Sequence, residues 1–319
     1  IFNAGFRLSH FHHGNKNEIH LEPRITGSYF LNKVMSVKAS FAQMNQYIHL
    51  LSNTGVGLPT DLWVPATSKV PSQKSWQAAF GLVTDIPSFA STLTLEGYYK
   101  KSRNIIAYRE GASFLLVDNP DGANEITWEN NITSGMGSSY GIELMAQRKA
   151  GKLSGWIGYT LSWTKLQFAE LNFGKPFFAK YDRRHDLSIV GIYTISKRIT
   201  LSATWVYGTG NAITLPQSTY PGLEHFDSGF DLYQQRTIED YGSKNSFRMA
   251  PYHRLDVGIQ FHKKKLRYER IWEVSVYNVY NRHNPYFYFI DNNNAQQQNV
   301  LKQVSLFPVL PSFSWSIKF

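Results

Sequence analysis

Apolar side chains recur at every second position through most of this chain, and nowhere do the roughly 20 in a row needed for a membrane helix run together. In an extended strand a period of two puts the apolar residues on one face and the polar residues on the other. The pattern is cleanest at the C-terminus. There Phe313, Trp315, Ile317 and Phe319 share one face, and Ser312, Ser314, Ser316 and Lys318 share the other. Upstream, Leu255, Val257, Ile259 and Phe261 oppose Arg254, Asp256, Gly258 and Gln260, and Leu201, Ala203, Trp205 and Tyr207 oppose Ser202 and Thr204. Glu96 lies between Leu95 and Gly97, and Glu143 between Ile142 and Leu144, so both place a charge in mid-strand on a polar face. The core of a soluble sandwich alternates in the same way, so alternation alone does not choose between water and membrane.

The links between strands say more. Strands are predicted at 2–11, 21–31, 35–47, 74–84, 91–108, 138–149, 153–168, 185–195, 200–213, 252–262, 272–290 and 300–319. Many exceed the lengths usual in globular sheets, as tilted spans of about 9–11 residues that continue past a bilayer would. Short links at 31–34, 84–91, 150–151 and 195–198 alternate with long polar ones at 45–75, 108–137, 168–184 and 215–249. That rhythm predicts an all-β fold: a transmembrane antiparallel up-and-down β-barrel with tight periplasmic turns and long external loops. Both chain ends then fall on the periplasmic side. Hydrocarbon leaves no partner for an open strand edge, so a barrel must close. Twelve strands can close alone. However, the sequence opens on a strand already under way at Phe2, Ala4, Phe6 and Leu8, with no initiator Met and no signal-type segment. The expectation is therefore a piece of a larger barrel.

Composition narrows the classes further. Aromatic residues make up 15% of the 319, while hydrophobic residues stand at 42%. The mean hydropathy of -0.33 is that of a water-soluble chain, which a barrel tolerates because only alternate residues meet lipid. Trp156, Trp272, Tyr193, Trp315 and Phe319 fall near one set of strand ends, and Tyr98, Tyr99, Tyr159, Trp163, Tyr207 and Tyr280 toward the other, as two interfacial girdles would. Cysteine is absent, which removes disulfides, thiol catalysis and Cys-based metal centres. The net charge of +10 is scattered along the chain. Its only basic run, 262–265, sits on a short link, so no nucleic-acid footprint is present. A solvated lumen and basic turns account for such a charge, as does affinity for anionic ligands or lipids.

No catalytic constellation emerges. His10, His12 and His13, with His20 nearby, are spaced as metal or haem contacts or as a solvated hairpin. His185 with Asp182 and Asp186 resembles an acid–base group, but reads as a loop anchor in which Arg183 and Arg184 pair with carboxylates. Gly208 and Gly210 lack the strand–loop–helix context of a phosphate cradle.

Several stretches together resemble one family. They are Leu21-Glu22-Pro23-Arg24, 45–53, 59–65, Tyr140-Gly141-Ile142-Glu143-Leu144, 155–162, Lys180-Tyr181-Asp182-Arg183-Arg184-His185-Asp186, Tyr252-His253-Arg254-Leu255-Asp256 and 276–286. As a set they resemble the C-terminal barrel portion of TonB-dependent outer-membrane receptors, of the Bacteroidetes type in particular. Phe319 is similar to the terminal aromatic residue that outer-membrane proteins present for assembly.

The resemblance implies that residues 1–319 are about the last twelve strands of a 22-stranded barrel, with the plug domain and TonB box outside this sequence. It implies a non-enzymatic active transporter of the cell outer membrane with no cofactor. Such a transporter captures an iron chelate, cofactor, glycan or peptide and passes it to the periplasm. The implied partners are the TonB–ExbB–ExbD complex, the protein's own plug, outer-membrane lipid and lipopolysaccharide, and in some members a surface lipoprotein. Arg24, Glu96, Glu143, Asp256 and Glu273, with Arg7 and Lys38, should face the lumen and plug. Ligand contacts should come from aromatic and polar loop residues: His49, Trp63, Trp128, Phe177, Phe178, Tyr220 and Tyr233. A passive porin-like channel, or a barrel subunit of a surface lipoprotein or secretion complex, remains the alternative.

Overall fold

The computed structural model describes residues 1–52, 61–110, 128–227, 231–293 and 298–319, with the backbone alone at 219, 223–227, 231–239, 292–293 and 298–299. Twelve long strands dominate it: β1 (Phe2–His13), β2 (Lys16–Phe30), β3 (Met35–Gln46), β4 (Gln73–Ile86), β5 (Ser91–Tyr108), β6 (Ile132–Arg148), β7 (Leu153–Phe168), β8 (His185–Ser196), β9 (Ile199–Gly208), β10 (Tyr252–Lys264), β11 (Glu269–Tyr277) and β12 (Leu310–Lys318). Each pairs antiparallel with the next, giving one meander whose spatial order is its sequence order. The short strand Phe177–Phe178 adds to β7. β1 and β12 end the row with one neighbour each among the described residues.

Links of a few residues, at 31–34, 87–90, 149–152, 197–198 and 265–268, lie at one end of the sheet. The long ones, at 47–72, 109–131, 169–184, 209–251 and 278–309, lie at the other, together with the tight β1–β2 turn at Gly14. That turn puts Gly14 at φ 56, a left-handed position a Cβ would strain.

The number of sheet strands matches the sequence expectation, but three strands were read too long. The stretch 272–290 is β11 followed by a separate strand, Pro285–Asn293, which pairs with Gln298–Ser305 in a loop hairpin. The stretch 300–319 is that hairpin's second strand followed by β12. The breaks fall where Asn278, Asn281 and Phe307 adopt left-handed φ of 54, 52 and 54. Likewise 200–213 ends as a sheet strand at Gly208, and Ala212–Ile213 pairs with Phe247–Arg248 instead. Alternation persists through a loop hairpin, so periodicity alone cannot separate it from the sheet strand before it.

Register lines the two faces up from strand to strand. Directly opposed residues share a face, and Ser28, Lys38, Gly81, Glu96, Glu143, Thr160 and Asp186 form one continuous polar row across seven strands. The other face carries Phe6, Phe80, Ile142, Phe313 and their neighbours, exposed by 70%, 61%, 52% and 61%. A water-facing surface this apolar would aggregate, whereas lipid accepts it. The charges obey the same division. Every carboxylate of the twelve strands stands on the polar face: Glu18, Glu22, Asp85, Glu96, Glu143, Asp186, Asp256, Glu269 and Glu273. Two aromatic expectations are corrected by the register. Trp156 is opposite Gln147 and Val190, and Tyr98 is opposite Ala79 and Gly141, which puts both on the polar face and outside the girdles.

The sheet has no packed core of its own. Among the described residues, the buried hydrophobics gather where the long loops meet the strand ends: Leu51, Val64, Val70, Ile106, Tyr108 and Ile132 in one cluster, Phe168, Leu171 and Phe177 in another.

Face assignment makes a sharp prediction. Ile142→Arg, mid-strand on the apolar face, should cost about 2–4 kcal/mol of folding stability in a bilayer. Its neighbour Glu143→Gln, on the polar face, should change stability by less than about 1 kcal/mol. Urea titration of the protein refolded into lipid vesicles measures both, and equal costs would refute the assignment.

Candidate functional site

Any ligand reaching the polar face from the long-loop end first meets the loops, so how they are held decides what they can do. The hairpin of Ile48–Ser52 with Asp61–Pro65 turns Leu51 and Val64 down onto Ile106, Tyr108 and Ile132, with Leu62 and Trp128 packed at the edge. It is clamped from the β1–β2 side. Lys16 Nζ donates to the carbonyls of Thr67 and Val70 at 2.8 and 3.0 Å and pairs with Glu18, which also accepts from Ser72.

The second fixture is Asp182, fully buried. It accepts from the Thr164 amide at 2.5 Å, pairs with Arg184 at 3.4 Å and binds Arg248. Phe178 lies among the same cations, with Lys165, Arg184 and Arg248 at 5.8, 5.2 and 5.1 Å from its ring centre. Asn245, also buried, donates to the Phe178 carbonyl at 2.8 Å and accepts from Thr214. Residues from two loops, 169–184 and 209–251, and from the end of β7 therefore meet around one carboxylate. Arg183 pairs separately with Asp186 at 3.3 Å, so the Lys180–Asp186 motif is an anchor, and His185 hydrogen-bonds Tyr159 at 2.8 Å.

Further ties cross from loop to loop. Asp61, on the first hairpin, accepts from Tyr181 at 2.6 Å and from Lys180 at 3.1 Å. Burial works to raise the Asp61 carboxyl, but these donors outweigh it and hold the group below its ordinary range. Burial, then the Asp61 charge, pushes the Tyr181 phenol up to about 12. Lys244 reaches Glu110 at 3.5 Å, and Arg109 reaches Glu170 at 3.5 Å.

The loop after β11 has its own anchor in Asn278, also buried. Its amide donates to Asp256 at 3.0 Å, its side chain donates to the carbonyls of Arg282 and Phe307, and its side-chain oxygen accepts from the Arg282 amide. Asn284 closes a matching pair of bonds with the His253 backbone at 3.0 and 2.9 Å.

The ligand candidates separate by exposure. Trp63 and Tyr220 stand out at 63% and 52% exposed. Phe177 is buried against Phe168, Trp128 is partly buried, and Phe178 is sandwiched by cations. His49 is only 2% exposed, and neither ring nitrogen makes a well-formed hydrogen bond among the described residues. Tyr233 lies in the hairpin of Pro216–Asp227 with Asp231–Tyr241, opposite His225, and its side chain falls outside the described residues. The lumen candidates Arg24, Glu96, Glu143, Asp256 and Glu273 all stand on the polar face. Glu96 and Glu143 are directly opposed, Asp256 pairs with Arg254 at 2.9 Å, and Glu273 accepts from Gln260 at 2.9 Å. Asn245 and Arg248, which sequence reasoning passed over, prove to be anchors, as does Asn278, which it met only inside the family stretch 276–286 and gave no role. No motif distinguishes them, although the paired asparagines of Asn278 and Asn281 hint at a turn. The histidines near the β1–β2 turn do not converge. Alternation splits His10 and His12 from His13 and His20, and no group of three potential ligands forms among the described residues.

Two tests address the loops. Asp182→Ala leaves Arg184 and Arg248 without their carboxylate and should cost about 3 kcal/mol of local stability, read as faster proteolysis within 169–184. Unchanged cleavage would argue against the anchor. Burial holds the His49 imidazole below its ordinary pKa, with the Pro71 backbone opposing weakly. The unfolded hairpin therefore binds a proton more readily than the folded one. Packing is intact above about pH 6.5 and weakens as the pH falls below it. The protection of amides 48–52, taken as exchange relative to the unstructured chain at the same pH, should fall between about pH 7.5 and 5 and lose that dependence in His49→Leu. A wild-type protection that ignores pH would refute this.

Comparison with known proteins fits this geometry. Residues 1–281 match the family model described as TonB dependent receptor-like, beta-barrel. Sequence comparison with curated proteins gives no match. Among solved structures, the ferripyoverdine receptor of the Pseudomonas aeruginosa outer membrane superposes with a TM-score of 0.55 at 14% identity, covering 99% of this chain and 36% of that one. The ferric-catecholate import receptor Fiu of Escherichia coli K12 gives 0.53 at 13%, covering 95% and 35%. BauA, the ferric preacinetobactin receptor of Acinetobacter baumannii, gives 0.53 at 14%, covering 95% and 37%. Identities this low establish the shared fold alone. The chain spans little more than a third of these receptors' length.

Proposed function

The chain belongs to the TonB-dependent receptor-like β-barrel family of the outer membrane, a transport family with no catalytic role, and on that premise we propose that it supplies the C-terminal strands of a barrel that imports an extracellular ligand caught by its tied loops. The observation that carries this reading is the pairing of a cross-linked loop cap at one end with a face beneath it that holds every carboxylate of the strands. The twelve strands join further strands to close a 22-stranded wall, because an open edge in hydrocarbon is untenable. The family stretches quoted above support the Bacteroidetes type.

In this reading a plug fills the lumen and meets Arg24, Glu96, Glu143, Asp256 and Glu273. The TonB–ExbB–ExbD complex supplies the energy for its rearrangement. Trp63 and Tyr220 offer exposed rings for stacking. His49, Phe177 and Phe178 hold the loops rather than touch the ligand, and a surface lipoprotein covers the same end. Of the ligand classes, a ferric chelate ranks first, since the named structural relatives are ferric-chelate receptors.

Uptake of radiolabelled ferric chelates by cells carrying the full-length receptor tests the proposal. Trp63→Ala should weaken binding about tenfold while leaving the amount in the outer membrane unchanged. Uptake should vanish in cells lacking TonB. Full uptake without TonB would mean a passive channel and would sink the energised reading.

A further inference from the structure

The net charge of +10 is scattered in sequence but gathered in space. At the long-loop end cations and carboxylates answer one another: Lys16 with Glu18, Lys180 with Asp61, Arg184 and Arg248 with Asp182, Lys244 with Glu110. At the short-link end they do not. Lys149 and Lys152 flank the β6–β7 turn, and Lys197 and Arg198 make the β8–β9 turn. Lys263, Lys264, Lys265 and Arg267 surround the β10–β11 turn, and Lys318 closes β12. All of these side chains are exposed, and among the described residues none pairs with a carboxylate. The one carboxylate described in these turns and the strand ends beside them, Glu269, stands opposite both Lys264 and Lys318, yet its contact is with His262 at 3.1 Å.

Neither lipid nor lumen accounts for the whole set. Lys152 and Arg198 continue the polar face, their carbonyls accepting from the amides of Thr194 and His262 at 2.7 Å each, and Lys264 and Lys318 stand on that face with Glu269. Lys263, opposite Arg270, and Lys265 fall on the apolar side. Lipid phosphates would explain only the second group, and a body inside the lumen only the first. What the cations share is their level: each lies in the last two ladder positions of its strand or beyond them. Leu266, at the tip between Lys265 and Arg267, is fully exposed, so no described part of the chain covers this turn. Short links lie on the periplasmic side of an outer-membrane barrel. Successive turns are two strands apart, about 10 Å, so the cations form a line about 25 Å long and not a round patch.

We infer that this line docks peptidoglycan, the carboxylate-bearing glycan–peptide polymer on the periplasmic side of the outer membrane. Each exposed cation contributes little alone. A polymer with carboxylates along its length engages several turns at once, and the weak contacts then multiply. A folded acidic protein would meet so narrow a line at only one or two turns, so its form favours an extended chain. The contact holds the barrel against the cell wall from the side opposite the loops, and it does not depend on what the receptor transports.

The test is co-sedimentation of the full-length protein, in detergent and free of lipid, with purified sacculi and with sacculi whose carboxylates have been amidated. The wild type should pellet with native sacculi, come off at high salt and stay in solution with amidated ones. The double variant K197Q/R198Q should bind native sacculi roughly 30-fold more weakly, at about fivefold per cation at an anionic surface. K263Q/K265Q, on the neighbouring turn, serves if the first variant does not fold, and should weaken binding in the same sense. K74Q/K101Q removes the same charge at the long-loop end and should bind as the wild type does. The proposal is overturned if the turn variants pellet like the wild type, if K74Q/K101Q loses as much, or if amidated sacculi retain the protein equally. A wild type that ignores native sacculi would also overturn it, and would leave an acidic protein as the occupant of the line.

Discussion

Hydrocarbon offers a peptide group no hydrogen-bond partner, and the rest of this structure follows from that fact. Each strand must find its partners in the strands beside it, so the chain runs back and forth in sequence order and β1 to β12 pair without a crossover. Once pairing fixes the register, period two does the rest. One face must be apolar over its whole width and the other is free to hold charge. The carboxylates of nine positions, from Glu18 to Glu273, all obey that rule. In a soluble sheet of this size the apolar face would be covered by a second layer; here it stays bare, because lipid takes the place of that layer.

The packed interior expected of a folded protein is consequently displaced to one end. Leu51, Val64, Ile106 and Ile132 form it where the first long loop folds back on β5 and β6. Around it the loops are fastened by buried polar groups and not by extensive burial: Asp182 with two arginines, Asn245 with Thr214 and Phe178, Asn278 with Asp256 and Arg282. Each fixture satisfies several backbone groups that an irregular loop would otherwise leave unpaired. Exposed rings such as Trp63 are thus carried on a hairpin that is itself packed and clamped.

Much of the sheet was legible in the sequence because face and period are local properties. Glu96 between Leu95 and Gly97 already fixes which side of β5 is polar, and Asp256 does the same for β10. The ends of strands were less legible. In 272–290 the alternation runs on through a hairpin that leaves the sheet, and only the left-handed Asn278 and Asn281 mark the departure. Trp156 and Tyr98 were misassigned to the girdles because position along a strand was considered without parity. The loop cap was legible only in part. The pairing of Arg183 and Arg184 with neighbouring carboxylates follows from their spacing, but Arg248 comes from another loop and no local pattern announces it. His49 looked available in a polar loop, and its burial depends on how that loop folds over β5.

The make-up of the cap also bears on the order of assembly. Its clusters and knots draw on residues from Leu51 to Arg248, contributed by loops and strand ends that are far apart in the chain and adjacent only once the strands between them have paired. Contacts of such long range come late, since each must wait for the intervening segments to be fixed. The wall therefore forms first and the cap last, so closure of the Asp182 knot reports that the strands on either side have found their correct neighbours. A misregistered strand would bring Arg184 and Arg248 to the wrong height and leave the loops unfastened and open to proteases. In this molecule the same bonds that shape the outer surface act as a check on the quality of the insertion below it.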